Sequence, residues 1–186
     1  MTRKLAVVIF PNFQLLDAAG PVSAFDIASR YSPGAYEIHV LAPGGGHTPS
    51  SAGAGFACEP LTDGPWDTIM VSGGDATRSA KEFTDIVDWL KRVAPAARRV
   101  TSVCSGAYFL AEAGLLDGRR ATTHWSRTDH FARRYPKIRL DADRIFIRDG
   151  NVWTSGGITA GIDLTLALIE DDLGPEVARR TAQQLV

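Results

Sequence analysis

The chain has 186 residues, of which 45% are hydrophobic and 22% are charged, values that exclude a disordered, fibrous or low-complexity protein. Its 20 lysines and arginines nearly balance 21 aspartates and glutamates, and the net charge of −1 argues against a surface built for nucleic acid or an anionic membrane. No apolar run is long enough for a membrane span or a signal peptide, so we expect a single cytoplasmic domain over residues 1–186.

The cysteines and histidines do not form a metal-binding pattern. Cys58 and Cys104 are too few for a disulfide framework, and no CxxC run is present. The four histidines are scattered, with no pair at the i, i+4 spacing of a helical zinc site. We therefore expect no metal and no cofactor, and any cysteine chemistry here is that of a free thiol.

The first half of the chain alternates apolar runs with a helical segment. Short apolar runs predict buried strands at residues 5–10, Tyr36–Ala42 and Thr68–Val71, each followed by proline, asparagine or glycine. A helix is predicted over residues 15–29, and a less regular β segment over residues 53–60.

The second half repeats the order of strand, tight turn and helix. Residues 83–93 place their apolar side chains on one helical face, and a strand at residues 100–103 runs directly into a small-residue turn and a helix. Residues 144–154 predict a hairpin, and the apolar helix that follows ends at Gly174. Repeated β-turn-α units imply an α/β fold with a mostly parallel sheet, helices on both faces, and ligands at the carboxyl ends of the strands.

Cys104 stands where a buried strand turns sharply into a helix. That position exposes a nucleophile at the top of an α/β sheet, and Ser105, Gly106 and Ala107 are small enough for the crowded turn. The helix N-terminus is expected to lower the pKa of the thiol and to make Cys104 more reactive than Cys58. The alternative is an inert buried thiol, the common fate of a lone cysteine.

Other residues could complete a site around this thiol. Asp17 follows the first strand among apolar and small residues, so its carboxylate could hold or exchange a proton, although an ordinary helix-start acid would occupy the same place. The amides of Gly73 and Gly74, beside that of Ser105, could receive a developing oxyanion, but a plain glycine turn explains them equally. His124 could orient or deprotonate the thiol, or pack as a structural imidazole beside a tryptophan.

Taken together, these motifs resemble the ThiJ/PfpI family of the class I glutamine amidotransferase-like superfamily over essentially the whole chain. The resemblance rests on Phe10-Pro11 with Asp17 and Gly20-Pro21, on Val71-Ser-Gly-Gly74, on Val103-Cys104-Ser-Gly-Ala, on Arg120-Ala-Thr-Thr-His-Trp125 and on Gly156-Gly-Ile-Thr-Ala-Gly-Ile-Asp163. It implies a flavodoxin-like three-layer sandwich and a homodimer. The late segment lacks the histidine that class I glutaminases need, so release of ammonia from glutamine is not expected.

Two branches of the family are the most similar. One is the amidase-like N-terminal domain of AraC-family transcription regulators, which binds a small effector while a separate helix-turn-helix region binds DNA. The other comprises the isonitrile hydratases, cofactor-free enzymes in which a cysteine adds to the isonitrile carbon and an aspartate manages protons. Their signature has Cys-Thr-Gly where this chain has Cys104-Ser105-Gly106.

The end of the chain favours the regulator branch. Residues 175–186 are helical in period, with an apolar stripe, yet they end without a capping glycine, asparagine or proline. A sensor domain separated from its DNA-binding half would end in this way, and so would a native terminus that frays. We expect any contact with DNA to be made by a domain beyond residue 186, and the stripe on an otherwise exposed helix to support a symmetric dimer.

The sequence therefore favours an effector-sensing domain that holds a small polar metabolite near Cys104 and Asp17, with Gly73, Gly74, Ser105 and His124 as ligand contacts. The alternative is a hydratase in which Cys104 attacks, Asp17 moves protons and the amides of Gly74 and Ser105 receive negative charge. A dimeric structural relative without a ligand is a third possibility.

Overall fold

The computed structural model of the chain describes all of residues 1–186. Ten strands are present: β1 (Arg3–Val8), β2 (Tyr36–Ala42), β3 (Gly46–Pro49), β4 (Gly55–Pro60), β5 (Thr68–Val71), β6 (Arg99–Ser102), β7 (Arg120–Ala121), β8 (Arg139–Leu140), β9 (Phe146–Asp149) and β10 (Val152–Ser155). The six α-helices are α1 (Leu15–Tyr31), α2 (Thr84–Val93), α3 (Ala107–Glu112), α4 (Thr128–Arg134), α5 (Ala160–Leu173) and α6 (Pro175–Gln184).

Eight of the strands form one sheet in the order β3-β4-β2-β1-β5-β6-β10-β9. The pairs from β4 to β10 are parallel, and only the edge strands β3 and β9 run antiparallel to their neighbours. The hairpin predicted near the end of the chain is formed by β9 and β10, and its turn uses Gly150 at a φ of 63°.

Helices cover both faces of this sheet. Helices α1, α5 and α6 contact one another on one side, over a core that includes Phe25, Met70 and Leu164. Helices α2 and α3 pack with a 3-10 segment, Asp75–Glu82, over the larger core on the other side. The predicted α/β three-layer sandwich with a mostly parallel sheet is confirmed. None of the helices combines the length and apolar character that crossing a bilayer requires.

The terminal helix α6 is not the exposed element expected from the sequence. Val177 and Leu185 pack against the core beneath α1 and α5, and Thr181 is buried. The apolar stripe therefore covers the chain's own core. This finding removes the stripe as an argument for a dimer, although the dimer itself stays a prediction.

Several short elements had no clear signal in the sequence. Four of them are seven residues long or shorter: strands β3, β7 and β8 and helix α4. The fifth, the 3-10 segment Asp75–Glu82, is irregular in its dihedral angles. Of these elements, only the 3-10 segment contributes to the site described next, through Asp75.

Candidate functional site

The turn after β6 has the geometry of a nucleophile elbow. Cys104 begins a 3-10 turn, Cys104–Gly106, that continues into α3, and it has a φ of 58°. Positive φ is rare for a residue with a Cβ and tends to persist at functional sites. The sharp strand-to-helix turn that the sequence predicts at Cys104 is confirmed.

The small residues around this turn are required by close packing. A Cβ on Gly106 would overlap the carbonyl oxygen of Val71 in the neighbouring strand β5. A Cβ on Gly161 in α5 would lie 2.6 Å from Cγ1 of Val103. Strand β5 and helix α5 therefore hold the elbow from two sides and fix the direction of the thiol.

Asp17 lies in the first turn of α1 and is fully buried. Its Oδ2 accepts a hydrogen bond from the Gly73 amide at 3.0 Å, while its Oδ1 is buried without a hydrogen-bond partner. Burial raises the pKa of Asp17 to about 7, although hydrogen bonds from Gly73 and Cys104 act to lower it. This carboxyl group can therefore hold or release a proton near neutral pH.

The thiol of Cys104 is a weaker acid than the sequence predicts. Only 6% of the residue is exposed, and burial, assisted by the charge of Asp17, raises the pKa of Cys104 to about 12. The Ser105 amide acts in the opposite direction but does not outweigh burial. The expectation that the helix N-terminus lowers this pKa is wrong, because desolvation of the thiolate exceeds the effect of a three-residue turn.

The backbone amides of the two glycines are already engaged within the protein. The Gly73 amide donates to Asp17, and the Gly74 amide donates to the Ser105 hydroxyl oxygen at 3.0 Å. The same hydroxyl donates back to the carbonyl oxygen of Gly74 at 3.1 Å. These hydrogen bonds link α1, the end of β5 and the elbow to one another. That Ser105, Gly73 and Gly74 contact a ligand stays a prediction.

His124 faces the same region without contacting the thiol. Its Nδ1 lies 2.9 Å from the hydroxyl oxygen of Ser126, and no hydrogen bond joins it to Cys104. Burial and the positive charge of Arg127 lower the pKa of His124, which favours a neutral imidazole at pH 7. His124 therefore lines the cavity without a contact through which it could deprotonate Cys104, and its contact with a ligand stays a prediction.

A cavity of about 250 Å³ opens at the carboxyl ends of the parallel strands, as expected for this fold. Most of its lining residues are polar or glycine: Gln14, Ser51, Gly74, Asp75, Cys104, Ser105, His124, Ser126, Arg127 and Ile158. Of the predicted site residues, four line the cavity, whereas Asp17 and Gly73 lie behind its wall. No group of three or more histidine, cysteine, aspartate or glutamate side chains is arranged to hold a metal ion.

Sequence reasoning missed the charged part of this lining. Arg127 and Asp75 both reach the cavity and form an ion pair with each other. The spacing of Arg127, three residues after His124, could have indicated that it reaches the cavity, because a 3-10 turn, Trp125–Arg127, directs both side chains to the same region.

Sequence comparison places this site in a known family. The DJ-1/PfpI family model matches residues 3–171. The HTH-type transcriptional regulator CdhR of Pseudomonas aeruginosa is 34% identical over 190 residues, a match that covers 100% of this chain and 55% of the regulator. Isonitrile hydratase of Pseudomonas putida is 36% identical over 191 residues, covering 100% of this chain and 78% of the enzyme.

Solved structures agree with this fold. An AraC family transcriptional regulator from Pseudomonas putida superposes with a TM-score of 0.89 at 18% identity, over 99% of this chain and 100% of that one. A ThiJ/PfpI family protein from Pseudomonas syringae has a TM-score of 0.87 at 26% identity, over 100% of this chain and 75% of that one. The chain spans 55% of the length of CdhR, about half of that regulator. With its elbow cysteine, its fold and a family match over residues 3–171, the chain belongs to the DJ-1/PfpI family.

Proposed function

We propose that this chain is the effector-sensing domain of an AraC-type transcription regulator, and that it binds a small polar metabolite in the cavity beside Cys104. One observation carries this proposal: a polar cavity of about 250 Å³ opens at the carboxyl ends of the strands, and Cys104, which lines it, is only 6% exposed. Burial raises the pKa of Cys104, which keeps the thiol protonated at neutral pH. A thiol in this state is a poor nucleophile but an acceptable part of a binding site. The polar lining suits a metabolite with several hydrogen-bonding groups.

The size of the cavity sets the scale of the effector. A volume of about 250 Å³ lies just below the range of roughly 300–1,000 Å³ that is usual for drug-sized ligands. The effector is therefore a small molecule. Gly74, Ser105 and His124 are its proposed contacts, with Gly73 and Asp17 supporting them from behind.

The relatives support a regulator. CdhR and GlxA, an HTH-type regulator of Rhizobium meliloti, match 100% and 97% of this chain, and the matches cover 55% and 56% of those proteins. We propose that DNA is bound by a separate domain that follows residue 186 in the native protein, since the net charge of −1 does not favour DNA binding by this part. A regulator of this kind would act in the cytoplasm as a homodimer.

Ligand binding is the direct test. Thermal unfolding of the chain is measured with a panel of small polar metabolites, and a ligand of the cavity should raise the melting temperature. His124→Ala should reduce the shift, whereas His47→Ala, at an exposed histidine outside the cavity, should retain it. If no metabolite changes the melting temperature, or the shift survives His124→Ala unchanged, the sensing role is lost. The gene sequence beyond codon 186 should also encode helix-turn-helix motifs.

A hydratase similar to isonitrile hydratase is the second candidate, and the pairing of Asp17 with Cys104 favours it. Burial raises the pKa of Asp17 to about 7, and its carboxyl group is near enough to the Cys104 thiol for each to shift the pKa of the other, so Asp17 could take the thiol proton and return it later. The Cys104 sulfur would add to the isonitrile carbon, and the thiol proton, returned by Asp17, would complete a thioimidate. Water would then add to that carbon, and cleavage of the carbon–sulfur bond, with a proton returned to the sulfur, would release the N-substituted formamide and the free thiol. The amides of Gly74 and Ser105 would receive negative charge only if the Gly74 amide left the Ser105 hydroxyl.

Product analysis separates the two candidates. Wild-type protein, Asp17→Asn and Cys104→Ala are incubated with millimolar cyclohexyl isonitrile, and the formamide is measured by chromatography. A hydratase should lose on the order of a hundredfold with Asp17→Asn and all turnover with Cys104→Ala. A sensing domain should show no wild-type turnover above buffer, and sustained turnover that needs both residues would overturn the leading proposal.

A further inference from the structure

Arg127 brings a positive charge into the cavity. It is the only lysine or arginine among the lining residues, and its side chain is 14% exposed. The only carboxylate in the lining is that of Asp75, whose side chain is 92% exposed. The cation therefore lies inside the protein, whereas its anionic partner lies in water.

The hydrogen bonds of Arg127 are incomplete. A guanidinium group has five N–H donors, yet the structure gives the Arg127 side chain one hydrogen bond, from Nη2 to Oδ1 of Asp75 at 2.5 Å. The other donors of this side chain keep contact with solvent, since none of them is a buried atom without a partner, and a ligand acceptor can replace water on them. Because Arg127 lines the cavity, a molecule in the cavity can supply that acceptor.

A carboxylate matches this arrangement better than other anions. Its two coplanar oxygens fit the fork of a guanidinium and form two parallel hydrogen bonds. A phosphate would bring up to two negative charges to a lining with a single cation. The hydroxyl and amide groups of Ser51, Ser126 and Gln14 leave polar partners for the rest of a small molecule.

We propose that Arg127 determines the specificity of the cavity, and that it selects small molecules carrying a carboxylate, which replaces Asp75 as the partner of the guanidinium. This inference rests on the proposed sensing function, because it names the chemical class that the same cavity binds. Asp75 is then the partner that neutralises Arg127 when no carboxylate ligand is bound. A neutral ligand such as an alkyl isonitrile gains nothing from Arg127.

A matched pair of alkylating reagents can test this selection without knowledge of the effector. Iodoacetate and iodoacetamide carry the same reactive group and differ in a carboxylate or an amide. Cys104 lines the cavity, and Cys58 on β4 does not, so Cys58 serves as an internal reference. The alkylation rate at each cysteine is measured by mass spectrometry at pH 9, and the iodoacetate-to-iodoacetamide ratio at Cys104 is divided by that at Cys58.

The expected ratio in the wild-type protein is on the order of tenfold, as one additional charge-assisted contact would give. Arg127→Gln should reduce the ratio to about one, and Arg127→Lys should give an intermediate value. Asp75→Asn should raise it, because the competing carboxylate is gone. Arg133→Gln, at an exposed arginine of α4 outside the cavity, should leave it unchanged.

Two failures are distinguishable. If both reagents label Cys104 at a ratio that Arg127→Gln does not change, the selection of carboxylates is wrong and the sensing cavity remains. If neither reagent labels Cys104, as its burial allows, thermal unfolding with propionate and with propionamide is the readout. A rise in melting temperature with propionate alone, abolished by Arg127→Gln, supports the selection, and equal rises overturn it. No rise with either molecule means that the cavity holds no small solute, and the proposed function fails as well. If Arg127→Gln does not fold, the wild-type protein is used with competitors instead. Propionate should protect Cys104 from iodoacetamide and propionamide should not. Equal protection by both overturns the proposal.

Discussion

The carboxylate of Asp17 accepts a hydrogen bond from the amide of Gly73 at 3.0 Å, and this contact joins the first turn of α1 to the end of β5. A Cβ on Gly73 would lie 2.6 Å from Oδ2 of Asp17, so the close approach requires glycine. The second carboxylate oxygen is buried without a partner. Burial raises the pKa of Asp17 and favours the protonated carboxyl group, and the hydrogen bond from Gly73 opposes this effect without outweighing it.

Asp17→Asn should therefore stabilise the protein at alkaline pH. Burial raises the pKa of Asp17 from 3.8 to about 7, so the folded state binds this proton more tightly than the unfolded state. The contribution of Asp17 to stability should be complete below about pH 4 and should be lost as the pH rises from 4 to 7. At pH 8 the variant should be more stable by up to about 4 kcal/mol, measured by urea denaturation.

The matched control for this prediction is Asp26→Asn, at an exposed aspartate of the same helix. It should leave the pH dependence of stability unchanged. If the difference in stability between the wild type and Asp17→Asn does not change between pH 4 and pH 8, the raised pKa of Asp17 is contradicted.

Cys58 should be alkylated before Cys104 near neutral pH. The thiolate is the reactive form, and a pKa raised to about 12 leaves very little of it at Cys104. Cys58 is only half-buried, on β4 next to the edge strand β3. We expect at least about a tenfold difference in the rate of labelling by iodoacetamide at pH 7.5, read by mass spectrometry of the two peptides.

Asp17→Asn should then speed up the labelling of Cys104, because the charge of Asp17 is one cause of the raised pKa. The rate at Cys58 in the same sample is the control and should not change. Faster labelling of Cys104 than of Cys58 in the wild type would show that the thiol ionises more readily than its burial allows.

The strands and the elbow could be predicted because their signals are local. Tyr36–Ala42 and Thr68–Val71 are apolar runs bounded by turn residues, and their predicted bounds match β2 and β5. Cys104 follows its strand within two residues, so the turn could be recognised without knowledge of the rest of the chain.

The chemistry of the site depends on distant contacts and could not be predicted in the same way. Arg127 and Asp75 are separated by 52 positions, and nothing in either neighbourhood indicates the other. The direction of the Cys104 pKa depends on the competition between burial and a helix N-terminus, and only the structure shows how deeply the thiol lies. The apolar stripe on α6 is visible in the sequence, but the surface that it covers, the core beneath α1 and α5, is formed only in the folded chain.

Gly106→Ala should destabilise the protein, because the new methyl group would overlap the carbonyl oxygen of Val71 in a packed core. Overpacking of this kind costs about 1–3 kcal/mol. Gly157→Ala is the matched control, since the nearest atom to its new Cβ is that of Ala160 at 4.0 Å. Thermal unfolding should show a lower melting temperature for the first variant only, and equal effects would mean that the elbow can move away from β5.

Asp172→Asn should cause a larger loss of stability. Its carboxylate is 1% exposed and pairs with Arg99, whose side chain is 3% exposed, at the end of the sheet opposite the cavity. Removing the charge of Asp172 leaves the buried Arg99 with only the partly exposed Asp171, at 3.2 Å, and breaking a buried pair typically costs about 3–5 kcal/mol. Asp171→Asn, at a partly exposed neighbour that also contacts Arg99, should cost less than about 1 kcal/mol. Urea denaturation at pH 7 measures both variants. Similar losses in the two variants would show that both carboxylates stabilise Arg99 equally, and that the burial of Asp172 does not increase its contribution to stability.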